Sequence, residues 1–113
     1  MKLIKPLKTY KKIDYNLEHF FDEEGELIKT PRSTNLLGQF ITSIIEESTK
    51  NLEDNLIITK INCRRRPKRK PCNGIIVSKY NYKTQSIDWT CSKCGDESSI
   101  YNWQYSEWDK WTT

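Results

Sequence analysis

Four cysteines, Cys63, Cys72, Cys91 and Cys94, constrain this chain more than anything else in it: they form two pairs in the C-terminal half, and no other cysteine occurs in the 113 residues. A structural zinc ion takes four soft ligands at tetrahedral corners, commonly from two loops that each carry two thiolates at the ends of β-hairpins. Cys91-Ser92-Lys93-Cys94-Gly95 is such a loop. Its gap of two residues lets both sulfurs reach one ion, and Gly95 can take the positive-φ turn that points backbone N–H groups at them. The other arm, Cys63 to Cys72, has eight intervening residues against a usual spacing of about two to four. Between the arms, residues 73–90 can hold two strands and a turn, which is the layout of a zinc ribbon.

Disulfides and a redox dithiol are the competing uses of these thiols. Met1 to Lys8 contains no continuous apolar run of signal-peptide length, and no apolar run in the sequence is long enough to span a bilayer. The expectation is a cytoplasmic protein, where structural disulfides are rare. A thioredoxin-like C-x-x-C opens a helix inside a βαβ unit, whereas the residues after Cys94, Gly95-Asp96-Glu97-Ser98-Ser99-Ile100-Tyr101-Asn102-Trp103, read as turn and strand. A four-cysteine zinc site is therefore the expected use.

Charge is concentrated in one place. Residues 60–80 carry eight Lys or Arg and no acid, so from an overall +4 the rest of the chain is left at −4. With 35% hydrophobic and 30% charged residues, a chain of this length buries only a modest core, and a metal crosslink would add stability that apolar burial does not supply.

From the start, Leu7, Thr9, Lys11, Ile13 and Tyr15 alternate weakly with polar residues, as an edge strand or an extended arm would. Leu17, Phe20 and Phe21 share a helical face for one turn, residues 22–26 read as a turn, and residues 27–30 before Pro31 as a short extended piece. His19, isolated from cysteines and paired acids, reads as an ordinary surface or packing residue. A helix is expected near residues 34–50, with Leu36, Leu37, Phe40, Ile41, Ile44 and Ile45 along one face and Ser33 or Thr34 as its cap. Glu46 and Glu47 sit where the helix dipole does not favour them. The apolar stripe is most simply core against a sheet, with a partner groove or dimer face as the alternative. Strands follow at residues 56–61, 74–80, 85–90 and 99–105, the first leading to Cys63, the second leaving Cys72 and the third arriving at Cys91. The expected fold is α+β: an antiparallel, zinc-ribbon-like meander of about four strands with one amphipathic helix on it. Residues 1–52 form an N-terminal extension carrying the helix, and residues 53–113 the β module.

Cys63-Arg64-Arg65-Arg66-Pro67-Lys68-Arg69-Lys70-Pro71-Cys72-Asn73-Gly74, then Trp89-Thr90-Cys91-Ser92-Lys93-Cys94-Gly95-Asp96, then Asn102-Trp103 and Trp108-Asp109, resemble a set of small uncharacterised bacterial proteins. These share a C-R-R-R-P-x-R-x-P-C-x-G element, a W-x-C-x-x-C-G-D element and a terminal tryptophan segment. The resemblance covers about residues 60–110 and leaves 1–52 unassigned. It implies a zinc-ribbon-like module and carries no activity with it. Where members have glycine after the residue matching Glu97 this chain has Ser98, so a differently shaped turn is expected there.

The functional expectation rests on the basic loop. Seven of the eleven residues from Lys60 to Lys70 are cationic, and Pro67 and Pro71 limit the loop's collapse. Clustered cations on a stiff loop gain affinity for phosphates by releasing counterions, which points Arg64, Arg65, Arg66, Lys68, Arg69 and Lys70 at DNA or RNA with low specificity. An acidic protein partner and simple support of the metal site are the alternatives, since four thiolates around zinc carry a net charge near −2 that nearby cations would stabilise. Eight of the thirteen aromatics lie between Tyr80 and Trp111. Trp89 and Trp103, inside strands, read as packing, while Tyr82, in a connection, is the better candidate to stack on a base. No glycine-rich phosphate loop or paired acids appear, and a closed zinc site would use all four thiols, so a binding module is expected rather than an enzyme, with no small-molecule substrate and no membrane role.

Overall fold

The computed structural model describes residues 12–111. Five strands form one sheet in the order β1-β5-β4-β3-β2, with β1 at Ile13–Asn16, β2 at Ile57–Asn62, β3 at Ile75–Asn81, β4 at Ser86–Cys91 and β5 at Glu97–Tyr101. One helix, α1, spans Arg32–Thr49. The α+β class and the antiparallel run β2-β3-β4-β5 match the reading of the sequence. The sheet itself is mixed: β1 adds a fifth strand parallel to β5, pairing Ile13 with Ser98 and Tyr15 with Ile100. A four-residue strand pairing with a partner 85 positions away leaves no periodic signal in the sequence, which is why only the possibility of an edge strand was legible. Of the alternating residues proposed for it, Leu7, Thr9 and Lys11 lie outside the described residues.

Register sorts the side chains onto two faces. Opposed pairs Ile76/Cys91, Ser78/Trp89 and Tyr80/Ile87 across β3 and β4, and Ile87/Ile100 across β4 and β5, share the face that α1 covers. From the helix, Ile41, Ile44 and Ile45 are fully buried against this face, Phe40 meets Trp89 edge-on at 5.5 Å, and Ser48 and Ser78 hydroxyls bond at 2.6 Å. Each such aliphatic side chain contributes about 1.5–3 kcal/mol by leaving water. Leu36, expected on the stripe, is instead 50% exposed. The helix also starts two residues early: Pro31 is the N-cap, and neither Ser33 nor Thr34 caps through its side chain. At the other end, Glu46 and Glu47 each acquire a cation, Glu47 from Lys50 at 3.0 Å and Glu46 from Lys110 at 3.6 Å, which offsets their unfavourable place on the dipole.

The segments flanking β1 and β5 close the core. Leu17 and Phe20 are buried in a short 3₁₀ turn, Leu17–Phe20, while His19 points to solvent. Beyond Tyr101 the expected strand does not continue to residue 105. Asn102 adopts φ 60°, a left-handed conformation that asparagine tolerates better than most residues, and the break turns Trp103 into the core, where its Nε1 donates to the Gln85 carbonyl. Residues after it fold back on the end of α1: Phe21 and Trp108 stack at 5.5 Å, and the Thr49 hydroxyl joins the Trp108 carbonyl to the Lys110 N–H. Ser98 lies inside β5, not in a turn, and its hydroxyl donates to the Ile13 carbonyl across the parallel pair. Ser98 thus serves to bind β1.

Candidate metal centre

The two cysteines of the first arm are brought together by the β2–β3 hairpin, and the pairing of β3 with β4 sets the second arm beside it. Past the end of β2, the Cys63 N–H donates to the Gly74 carbonyl at 2.9 Å and the Cys72 N–H to the Arg65 carbonyl at 3.1 Å. These two rungs extend the hairpin, so the eight residues that separate Cys63 from Cys72 in sequence become a short neck with a tip at residues 66–71. Within the tip Lys68 and Arg69 both take left-handed backbone conformations, Arg69 N–H closes on the Arg66 carbonyl, and Lys70 N–H on that of Pro67. The long spacing that looked like a poor match is therefore compatible with ordinary ligand geometry.

The second arm leaves β4 at Cys91. Cys91 N–H donates to the Asp96 carbonyl at 2.7 Å, and Gly95 takes φ 78° as expected of it. Backbone N–H groups then aim at sulfur: Lys93 and Cys94 at the Cys91 Sγ at 3.3 and 3.4 Å, and Arg65 at the Cys63 Sγ at 3.4 Å. Ser92 ties this arm to β3 by exchanging bonds with Ile75, its N–H donating to the Ile75 carbonyl and its hydroxyl oxygen accepting from the Ile75 N–H.

The four sulfurs converge as a result. All lie within 4.8 Å of one another, with Cys63–Cys94 at 3.7 Å and Cys72–Cys91 at 3.5 Å. A disulfide would need about 2.05 Å, whereas a tetrahedron of sulfurs about 2.3 Å from a central zinc has edges of about 3.8 Å. Convergence this close requires Gly74: a Cβ there would stand 2.3 Å from the Cys91 Sγ and 3.3 Å from the Cys72 Sγ. The electrostatics agree. Burial pushes the Cys63 thiol up, with the thiols of Cys91 and Cys94 adding to it against the Arg65 N–H; burial raises Cys94 likewise, against the Asp96 N–H. Burial also opposes ionisation of Cys91, but the N–H groups of Cys94 and Lys93 outweigh it and hold that thiol low. Four sulfurs in this space cannot all ionise alone, and a divalent cation that displaces the protons resolves the conflict. The four cysteines thus make a cluster that could hold a metal ion.

Outside the ligands, the Arg65 Nε donates to Asp96 Oδ2 at 2.9 Å, an ion pair with Asp96 almost wholly buried that links the first arm to the second. The pairing of these two residues was not legible from spacing, since 31 positions separate them. Arg64 sits over the Phe40 ring with its guanidinium carbon 5.7 Å from the centroid, an arrangement that holds the cation against an aromatic face. Arg66, Lys68, Arg69 and Lys70 are exposed and have no ion-pair partner among the described residues, although the Arg66 guanidinium donates to the Arg69 carbonyl. Of the six cations grouped by the sequence, Arg65 alone is partly buried, in its ion pair, while Arg64, over Phe40, and the four at the tip are exposed. Tyr82, grouped with them as a stacking residue, is 76% exposed but follows the far end of β3, a strand of seven residues or about 20 Å in length. Loop and tyrosine do not form one compact site. Trp89 and Trp103 are buried in the core.

Among the described residues, no helix is long and apolar enough to cross a membrane. Comparison with protein-family models, with curated proteins and with solved structures finds no match to this chain.

Proposed function

We propose that this protein is a zinc-bound module that holds the phosphate backbone of nucleic acid with the tip of its basic loop. Zinc suits the donor set because four thiolates at tetrahedral spacing are soft, closed and redox-silent as a site. Such a site leaves no open position for a substrate, so the reading is a binding module and not an enzyme, working where thiols stay reduced, as in the cytoplasm. The observation that carries the nucleic-acid reading is the loop's anchorage. Its neck is pinned by two backbone rungs between two metal ligands, while Arg66, Lys68, Arg69 and Lys70 are presented to solvent. A cation held on a fixed turn loses less freedom on meeting a phosphate than one on a mobile tail. Arg65 is engaged by Asp96 at the metal end, and Arg64, though exposed, lies over the Phe40 ring.

The test is retention of single- and double-stranded DNA and RNA by the zinc-loaded protein across a salt series. Binding should be weak and indifferent to sequence, and its log constant should fall linearly with log salt at roughly −0.7 to −0.9 per phosphate neutralised. Lys68→Glu with Arg69→Glu should abolish it and leave zinc in place. Wild-type protein that binds no polyanion at low salt removes the reading, and leaves an acidic protein partner as the occupant of the loop.

A further inference from the structure

At the end of the sheet away from the cysteines, three aromatic side chains stay in contact with water although the core lies beside them. Tyr80 and Tyr82 rings stand 4.7 Å apart and nearly perpendicular at 76°, and Tyr80 is braced by the buried Trp103 at 5.9 Å and 88°. Trp103 is itself fixed by its bond to the Gln85 carbonyl, so the Tyr80 wall is rigid. Tyr80, Tyr82 and Trp111, with the buried Leu52 and the carboxylate of Glu53, line one hollow of about 50 Å³. Tyr82 is 76% and Trp111 47% exposed, which separates them from Trp89 and Trp103, at 4% and 2%. These two rings are not core.

The lining selects the ligand. Aromatic faces carry a negative quadrupole, and a hollow walled by three aromatic residues favours a cation with an apolar skin over either a bare ammonium or a neutral hydrocarbon. Glu53 adds a full negative charge, and α1 ends at Thr49, three residues before Leu52, so the negative end of its dipole lies on the same connection. Lys79 and Lys83 line the adjoining cleft together with Asp54 and do not line this hollow. At about 50 Å³ the hollow has room for a cluster of a few methyl groups, and it continues into the adjoining cleft, with which it shares Leu52, Glu53, Tyr80 and Tyr82.

We propose that Tyr80, Tyr82, Trp111 and Glu53 form a cage for a methylated ammonium group. The site lies at the opposite end of β3 from the cysteines and the basic loop, so it stands or falls independently of zinc and of nucleic acid. Tetramethylammonium is the direct probe, titrated into the metal-loaded full chain while the Trp111 indole and Tyr82 ring signals are followed by NMR. Millimolar saturation is expected at these signals, with the neutral isostere neopentyl alcohol at least about fivefold weaker. Tyr82→Ala and Trp111→Ala, both at exposed positions, should each lower affinity by about fivefold or more, and Glu53→Gln should weaken the cation while leaving the neutral isostere unchanged. Choline and a peptide bearing trimethyl-lysine then distinguish the source of the group: tighter binding of the peptide assigns it to a protein, tighter binding of choline to a free metabolite, and either supports the cage. Equal binding of the neutral isostere, or binding that survives Trp111→Ala and Tyr82→Ala together, overturns it.

Discussion

At one end of the sheet, β2, β3 and β4 run into four thiols, a cationic loop and a single buried ion pair; at the other, β3, β4 and β5 run into Tyr80, Ile87, Ile100 and Trp103 under the C-terminal half of α1. The second end is held by burial, with aliphatic and aromatic side chains that exclude water. The first has Cys72 and Cys91 buried at the edge of the same core with Ile76 and Trp89, and Cys63 and Cys94 packed against it, but the arms that carry these thiols are largely exposed, charged or backbone. Its order comes from hydrogen bonds that point N–H groups at sulfur, and these gain their full strength only when the sulfurs are ionised around a cation. One small sheet is thus stabilised in two ways, which ought to separate under experiment.

The largest effect is expected from removing the metal. A chelator should abolish amide protection in the arms around Cys63–Cys72 and Cys91–Asp96, while Ile44, Ile45, Ile87 and Ile100 keep theirs; apparent binding energies of about 10–16 kcal/mol for structural zinc in small peptides set the scale of the loss. If protection disappears uniformly along the chain, the two ends are one cooperative unit and the contrast fails.

The converse perturbation is Ile44→Ala, which empties a fully buried position under the helix. It should cost about 2–5 kcal/mol in denaturant unfolding and leave metal affinity nearly unchanged. A large drop in metal affinity with this variant would show that the sulfur cluster depends on the helix.

Gly74→Ala sharpens the contrast at the cysteine end. Its new methyl would collide with the Cys91 sulfur, 2.3 Å from the ideal Cβ position, so the cluster must open. Destabilisation of about 1–3 kcal/mol is expected in the metal-loaded protein, with a lower metal affinity, and little change in the metal-free one. Equal destabilisation of both forms would place the strain in the hairpin and not in the metal site.

The smallest effect is electrostatic and lies on the uncovered face. Burial tends to raise the Asp88 carboxyl, but bonds from Ser99, Ser86 and Asn81 outweigh it and hold the group below its ordinary value of 3.8. A depressed carboxyl contributes stability that is complete above that value and is lost as pH falls through the folded-state value. Asp88→Asn should therefore melt slightly below wild type near neutral pH, and the gap should close in acid. A gap that is constant with pH would mean that the Asp88 charge is not what the three donors stabilise.

What could be read from the sequence follows the same division. The convergence of the four cysteines and the turn Cys91–Gly95 were legible because coordination chemistry imposes local spacing, and the β-branched runs before Cys63 and after Cys72 announced the strands that deliver them. The helix was legible from Phe40, Ile41, Ile44 and Ile45, whose spacing one buried face dictates, while Leu36 kept that spacing and was left in water. Pairing of β1 with β5, the fold-back of Trp108 onto Phe21 and the Arg65–Asp96 ion pair were not legible. Each joins short stretches far apart in the chain, and no periodicity encodes such a meeting. Tyr82 was grouped with the basic loop as a residue able to stack on a base, although the strand expected at residues 74–80, observed as Ile75–Asn81, already separates the two.

The central claim, that four thiolates close around one zinc ion, is tested most directly by X-ray absorption at the zinc edge of protein purified without added metal. One zinc per chain with a single shell of four sulfurs at about 2.3 Å is the expected result. A shell containing nitrogen or oxygen, fewer than four sulfurs, or protein carrying no metal together with an intact fold at the cysteine end would contradict it.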